Sequence, residues 1–71
     1  MSNHIHSLAW RQREITALVA TGASDKEIAR QLSISHKTVR NILTRVFVKT
    51  GVRSRTELAV QWIQSHAQIS D

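Results

Sequence analysis

The sequence predicts an all-α fold of four short helices in one domain, and three observations predict it. Apolar residues recur at spacings of three and four rather than two, which is the period of a helix face and not of a strand. Polar caps and glycines fall at the ends of these periodic stretches, including two Ser-x-x-Glu boxes, Ser24 with Glu27 and Ser54 with Glu57. The composition also suits helices: of 71 residues 41% are hydrophobic, with two glycines and no proline. A chain this short buries only about 60% of its unfolded surface, which leaves room for one core and not two.

The first helix is expected from Leu8 or Trp10 to Thr21, with Ile15, Leu18 and Val19 on its buried face, Arg11, Arg13 and Glu14 on the other, and Gly22 as its stop. Trp10, a large aromatic, is expected in or against the core, and so is Phe47. The second helix starts at the Ser24 box and buries Ile28, Ala29 and Leu32. Ser33 and Ile34 lead to a third helix, capped by Ser35 and running to Lys49 or Thr50, where Gly51 ends it. The fourth starts at the Ser54 box and continues through Leu58, Trp62 and Ile63 to His66. The expected organisation is a flexible tail over residues 1–7, a folded domain over 8–66 and a short tail over 67–71.

Charge points to the class of partner. Ten Lys and Arg against five Asp and Glu give a net +5, so polyanions are the natural ligands. The excess sits in the middle of the chain, with no acidic residue between Ser33 and Arg55. On the third helix, stepping 100° per residue puts Val39, Ile42, Leu43 and Val46 on one face and His36, Lys37, Arg40, Asn41, Thr44 and Arg45 on the opposite one. A solvated helix face usually interleaves Glu with Lys at i, i+4, so a face of uncompensated cations calls for an external anion. The turn of about three residues between the second and third helices is the helix-turn-helix joint, which projects a recognition helix into a DNA major groove. Lys and Arg neutralise phosphate or donate to guanine, and Asn pairs with adenine.

The strings Ser24-Asp25-Lys26-Glu27-Ile28-Ala29, Leu32-Ser33-Ile34-Ser35, Lys37-Thr38-Val39-Arg40 and Lys49-Thr50-Gly51-Val52-Arg53-Ser54-Arg55-Thr56-Glu57 closely resemble the LuxR/FixJ/GerE-type helix-turn-helix domain, in order and in spacing, from Leu8 to about Ile63. The resemblance implies a sequence-specific DNA-binding transcriptional regulator that reads with its third helix and commonly dimerises through its fourth. Carried over, base readout falls to His36, Lys37, Arg40, Asn41 and Thr44, and backbone contact to Lys26, Ser35, Thr38, Arg45 and Lys49. Relatives often carry a receiver or ligand-binding domain ahead of this one, so the chain resembles either a standalone member of the GerE kind or the C-terminal piece of a longer regulator. Three departures from the family pattern involve five positions. Ala9 and Gln12 stand where a polar capping box is usual, with Ser7 as an earlier candidate cap. Ile42 and Arg45 replace the usual His and Asn, and Thr50 replaces a Leu.

The fourth helix is apolar on more than one side: Leu58 aligns with Trp62, while Val60 and Ile63 point elsewhere. Val60 and Ile63 are therefore the expected dimer interface, the alternative being that both stripes pack on the first helix. Double-stranded DNA and a second copy of the chain are the expected partners, with a related regulator or RNA polymerase as further ones. The competing function is that of an antagonist that pairs with a full-length LuxR-type regulator through the fourth helix. No catalytic set emerges, because the carboxylates are scattered and Glu27 and Glu57 already have capping roles. No cofactor or metal is expected; His4 and His6 lack a third ligand nearby, and no cysteine is present. With no apolar run near the roughly 18 residues of a membrane span and no signal segment in Met1–Ser7, the expected location is cytoplasmic.

Overall fold

The computed structural model describes residues 5–67, apart from the side chains of His6 and Ala67. A 3₁₀ turn over Ile5–Ser7 precedes four helices: α1 Trp10–Ala20, α2 Asp25–Leu32, α3 His36–Thr50 and α4 Arg55–Ala67. The fold is all-α, and no strand occurs among the described residues.

Each helix start has a local chemical cause. At α2, Ser24 Oγ accepts from the Glu27 amide at 3.1 Å while Glu27 Oε1 accepts from the Ser24 amide at 2.8 Å, so two free donors of the first turn are satisfied reciprocally. At α3, Ser35 Oγ accepts from the Thr38 amide at 3.0 Å. The expected box at α4 is shifted. Ser54 Oγ does accept from the Glu57 amide at 3.1 Å, but the Glu57 carboxylate reaches one residue further back, to the Arg53 amide at 2.7 Å. At α1 half of a box survives: Ala9 is the N-cap and has no side-chain acceptor, yet Gln12 Oε1 takes the Ala9 amide at 2.9 Å. Ser7 lies in the 3₁₀ turn and is not the cap of α1.

Between α2 and α3 the chain turns through Ser33, Ile34 and Ser35. Ser33 takes a left-handed conformation (φ 57°), and the Ile34 amide closes on the Ala29 carbonyl at 3.0 Å. That closure sets the direction in which α3 leaves. Gly51 ends α3 in the same left-handed region, where a side chain would be strained.

The core gathers Ile15 and Val19 of α1, Ile28 and Ala29 of α2, Val39, Leu43 and Val46 of α3, and Leu58 of α4, with Leu8, Ala23 and Val52 closing it from the connections. Helix α1 packs against α4 and α3, and α2 packs against α3, so the helix-turn-helix pair rests on an α1/α4 base. Two buried threonines need no distant partner, since Thr16 Oγ1 donates to the Gln12 carbonyl and Thr50 Oγ1 to the Val46 carbonyl. Thr50 thus occupies its buried site with its hydroxyl satisfied on its own helix.

Two expectations are corrected. The tail expected over residues 1–7 is too long, because Ile5 is only 3% exposed and belongs to the core, and the turn carrying it packs against α4; an apolar residue within reach of an uncovered core edge is driven onto it. Trp10 is not a core residue but 72% exposed, because it begins α1 on the side away from Ile15 and Val19 and lies with the Arg11 guanidinium 5.4 Å from its ring centre. Phe47 is half-buried against the core, as is Trp62. His4 and the expected tail beyond Ala67 lie outside the described residues. Among the described residues no helix is long and apolar enough to cross a membrane.

Candidate nucleic-acid interface

Helix α3 has one buried side and one bare side. Val39, Leu43, Val46 and Thr50 fix it on the core, which turns His36, Lys37, Arg40, Asn41 and Thr44 outward, and these five line one shallow depression. All five expected base readers are therefore brought together on one exposed stripe. No carboxylate stands on α3. Of the others, Glu14 pairs with Arg11 at 2.8 Å, Asp25 with Arg55 at 2.6 Å, and Glu27 and Glu57 accept backbone amides at helix starts. The positive charge of the stripe is uncompensated on its own helix.

Hydrogen bonds restrict what some of these groups can do. Thr44 Oγ1 donates to the Arg40 carbonyl at 2.9 Å, so its one proton is used and its oxygen faces outward as an acceptor. Arg40 and Thr44 also line a second cleft, floored by Leu43 and Phe47 and walled by Asp25 and Arg55. Arg55 donates to Asp25 and, through Nη2, to the Ala23 carbonyl at 2.8 Å, tying the start of α4 to the start of α2.

The expected backbone-contact residues are more dispersed. Lys26 is exposed on α2, and Arg45 is exposed on α3 at the edge of the stripe. Ser35 and Thr38 share one hydrogen between their hydroxyl oxygens at 2.8 Å, which leaves the other hydroxyl proton for an external acceptor. Lys49 is drawn away from the stripe: its ammonium donates to the Ser7 carbonyl at 3.1 Å and to Gln12 Oε1 at 3.3 Å. Two of its three donors thus hold the end of α3 to the start of α1, and one remains. On α4, Val60 and Ile63 are 44% and 52% exposed, away from the face that Leu58 buries.

Two features escape the residues that the sequence singles out. The Asp25–Arg55 tie joins positions thirty residues apart, and no local pattern signals it. Val48, 81% exposed, stands on the same stripe of α3 one turn beyond Thr44, where the 100° step carried further would have placed it.

Comparison with known proteins fits this geometry. The family described as bacterial regulatory proteins, luxR family (GerE), matches residues 6–62. The monoamine regulon transcriptional regulator of Klebsiella aerogenes is 53% identical over 51 residues, 72% of this chain and 22% of that protein. The protein named "Probable HTH-type transcriptional regulator GfsR" of Streptomyces halstedii is 40% identical over 57 residues, 80% of this chain and 24% of its own length. The transcriptional regulatory protein LiaR of Bacillus subtilis is 40% identical over 60 residues, 84% and 28% respectively. The chain thus spans about a quarter of the length of these relatives. The family is one of regulators and not of enzymes, and the described residues form the four helices of an all-α domain. The chain belongs to the luxR family of bacterial regulatory proteins, as the helix-turn-helix DNA-binding domain of a transcriptional regulator.

Proposed function

We propose that two copies of this domain bind one operator, each laying α3 in the major groove of a half-site. The observation that carries this reading is the stripe of His36, Lys37, Arg40, Asn41 and Thr44, exposed together on a helix that has no carboxylate. Lys37 and Arg40 supply donors for guanine, Asn41 matches adenine, and the Thr44 oxygen accepts from an exocyclic amine. Lys26, Arg45, the free hydroxyl proton of the Ser35–Thr38 pair and the remaining donor of Lys49 hold phosphates. Val60 and Ile63 meet their counterparts in the second copy, which fits the two-fold symmetry of an inverted repeat. A domain that works on bacterial DNA works in the cytoplasm.

The test is fluorescence anisotropy on a pool of random duplexes over a salt series, followed by selection of the retained sequences. The expected result is an enriched inverted repeat whose affinity falls with salt, the logarithmic slope steepening by about 0.9 for each phosphate neutralised. No binding at low salt would overturn the reading and leave a domain that acts by pairing with another regulator.

A further inference from the structure

Val48 is the most exposed large apolar side chain among the described residues, and its surroundings are not apolar. It lies at i+4 from Thr44 and i+7 from Asn41, and stepping 100° per residue sets it angularly between Lys37 and Asn41, so it continues the basic stripe one turn beyond its C-terminal end. A lone exposed valine is ordinary on a protein surface. This one sits on the face that carries the cations, where a longer polar side chain would cost the helix nothing and valine is a poorer helix former.

We propose that Val48 is a specificity-determining residue whose methyl groups contact the C5-methyl of a thymine in the major groove. The proposal rests on the reading of α3 as the recognition helix. Base edges in that groove offer donors, acceptors and one apolar group, the thymine methyl. Valine can neither donate nor accept, so against any other edge it would cover a polar group without replacing its hydrogen bond to water. A β-branched side chain in a helix holds essentially one rotamer, so its methyls are already placed before DNA arrives. Eleven residues separate Lys37 from Val48, a rise of roughly 16 Å along the helix. DNA rises about 3.4 Å per base pair along its axis, and a helix lying along the groove is inclined to that axis, so Val48 meets a base pair fewer than about five from the one that faces Lys37.

The experiment uses the operator recovered by selection and replaces each thymine in turn by deoxyuridine, which removes only the C5-methyl. Binding is measured for the unaltered chain and for Val48→Ala. At one thymine per half-site the unaltered chain weakens about fourfold, the worth of one methyl-sized group removed from water. Val48→Ala weakens by a similar factor on the thymine operator and becomes indifferent to deoxyuridine at that position alone. Because the side chain is exposed and alanine is the better helix former, the variant keeps its fold, which circular dichroism checks. Unchanged binding by Val48→Ala, or a deoxyuridine effect that persists in it, overturns the proposal and leaves the α3 reading intact. Failure of the unaltered chain to bind any duplex overturns both.

Discussion

A carboxylate that closes a helix start couples the fold to protons. Glu27 accepts the Ser24 amide, and that bond, followed by the Ser24 side-chain bond and the nearby Arg30 charge, holds its pKa below the ordinary value of about 4.5. The native state therefore favours the ionised form, so the contribution is full above the ordinary value and is lost as pH falls through the lowered one. Glu27→Gln is expected to be less stable than the unaltered chain at pH 7 and equal to it at a pH well below the lowered pKa, where both side chains are neutral. Thermal melts at the two pH values check this, and a constant gap would remove the charge from the cap. On the DNA side, Arg40→Ala should cost about 1–3 kcal/mol on the operator and relax preference at one base position, whereas Lys26→Ala should weaken all sequences alike and lower the salt slope by about 1. Equal losses on every duplex for both variants would take Arg40 out of the readout. The caps and the exposed stripe are legible in the sequence because they are local: Ser24, Glu27 and Ser35 act within one turn, and the α3 stripe follows from its own period. Trp10 was legible in the same way, since the period sets it on the side of α1 away from Ile15 and Val19, and the expectation of a core position rested on the size of its ring instead. Ile5 was obscured, because nothing near it in the chain marks the core edge that it covers.

At the scale of elements, the helix-turn-helix unit depends on the angle that Ser33 imposes. Its φ of 57° is uncommon for a residue with a side chain, and the Schellman closure from Ile34 to Ala29 requires it. Ser33 is exposed, so Ser33→Gly removes no packing and relieves the backbone. A gain of up to about 1 kcal/mol in chemical denaturation is expected, less whatever glycine adds to the freedom of the unfolded chain. A loss would mean that the turn is held by the serine itself. The existence, order and faces of the four helices could be read from spacing, and so could the three-residue joint. What spacing cannot give is how the pairs are tied. The Asp25–Arg55 bridge and the Lys49 bonds to Ser7 and Gln12 join residues thirty or more apart, and both become visible only when the α1/α4 base is assembled beneath α2 and α3.

The described residues measure 34 × 24 × 20 Å, and half-sites one DNA turn apart are separated by about 34 Å. On the proposed reading, two copies side by side on one face of the duplex meet only if their long axes run along it, since 34 Å between centres equals the longest extent and exceeds the other two; an apolar contact between them then comes from a surface left open by the core. Val60 and Ile63 on α4 form such a surface, since Leu58 faces inward and Trp62 is half-covered. Ile63→Asp separates this role from folding. The side chain is half-exposed, so the monomer should lose no more than about 0.5–1 kcal/mol. Across a two-fold axis, however, the substitution sets two carboxylates against each other. Affinity for a single half-site should stay within about twofold, because no residue of the α3 stripe changes, while affinity for the inverted repeat should fall at least tenfold as the gain from joined sites disappears. Titration of half-site and full-site duplexes, with sedimentation of the complexes, measures both. If the full-site affinity of Ile63→Asp equals that of the unaltered chain, the two copies bind independently and α4 does not join them; if half-site affinity falls as well, the substitution has disturbed the base that holds α3.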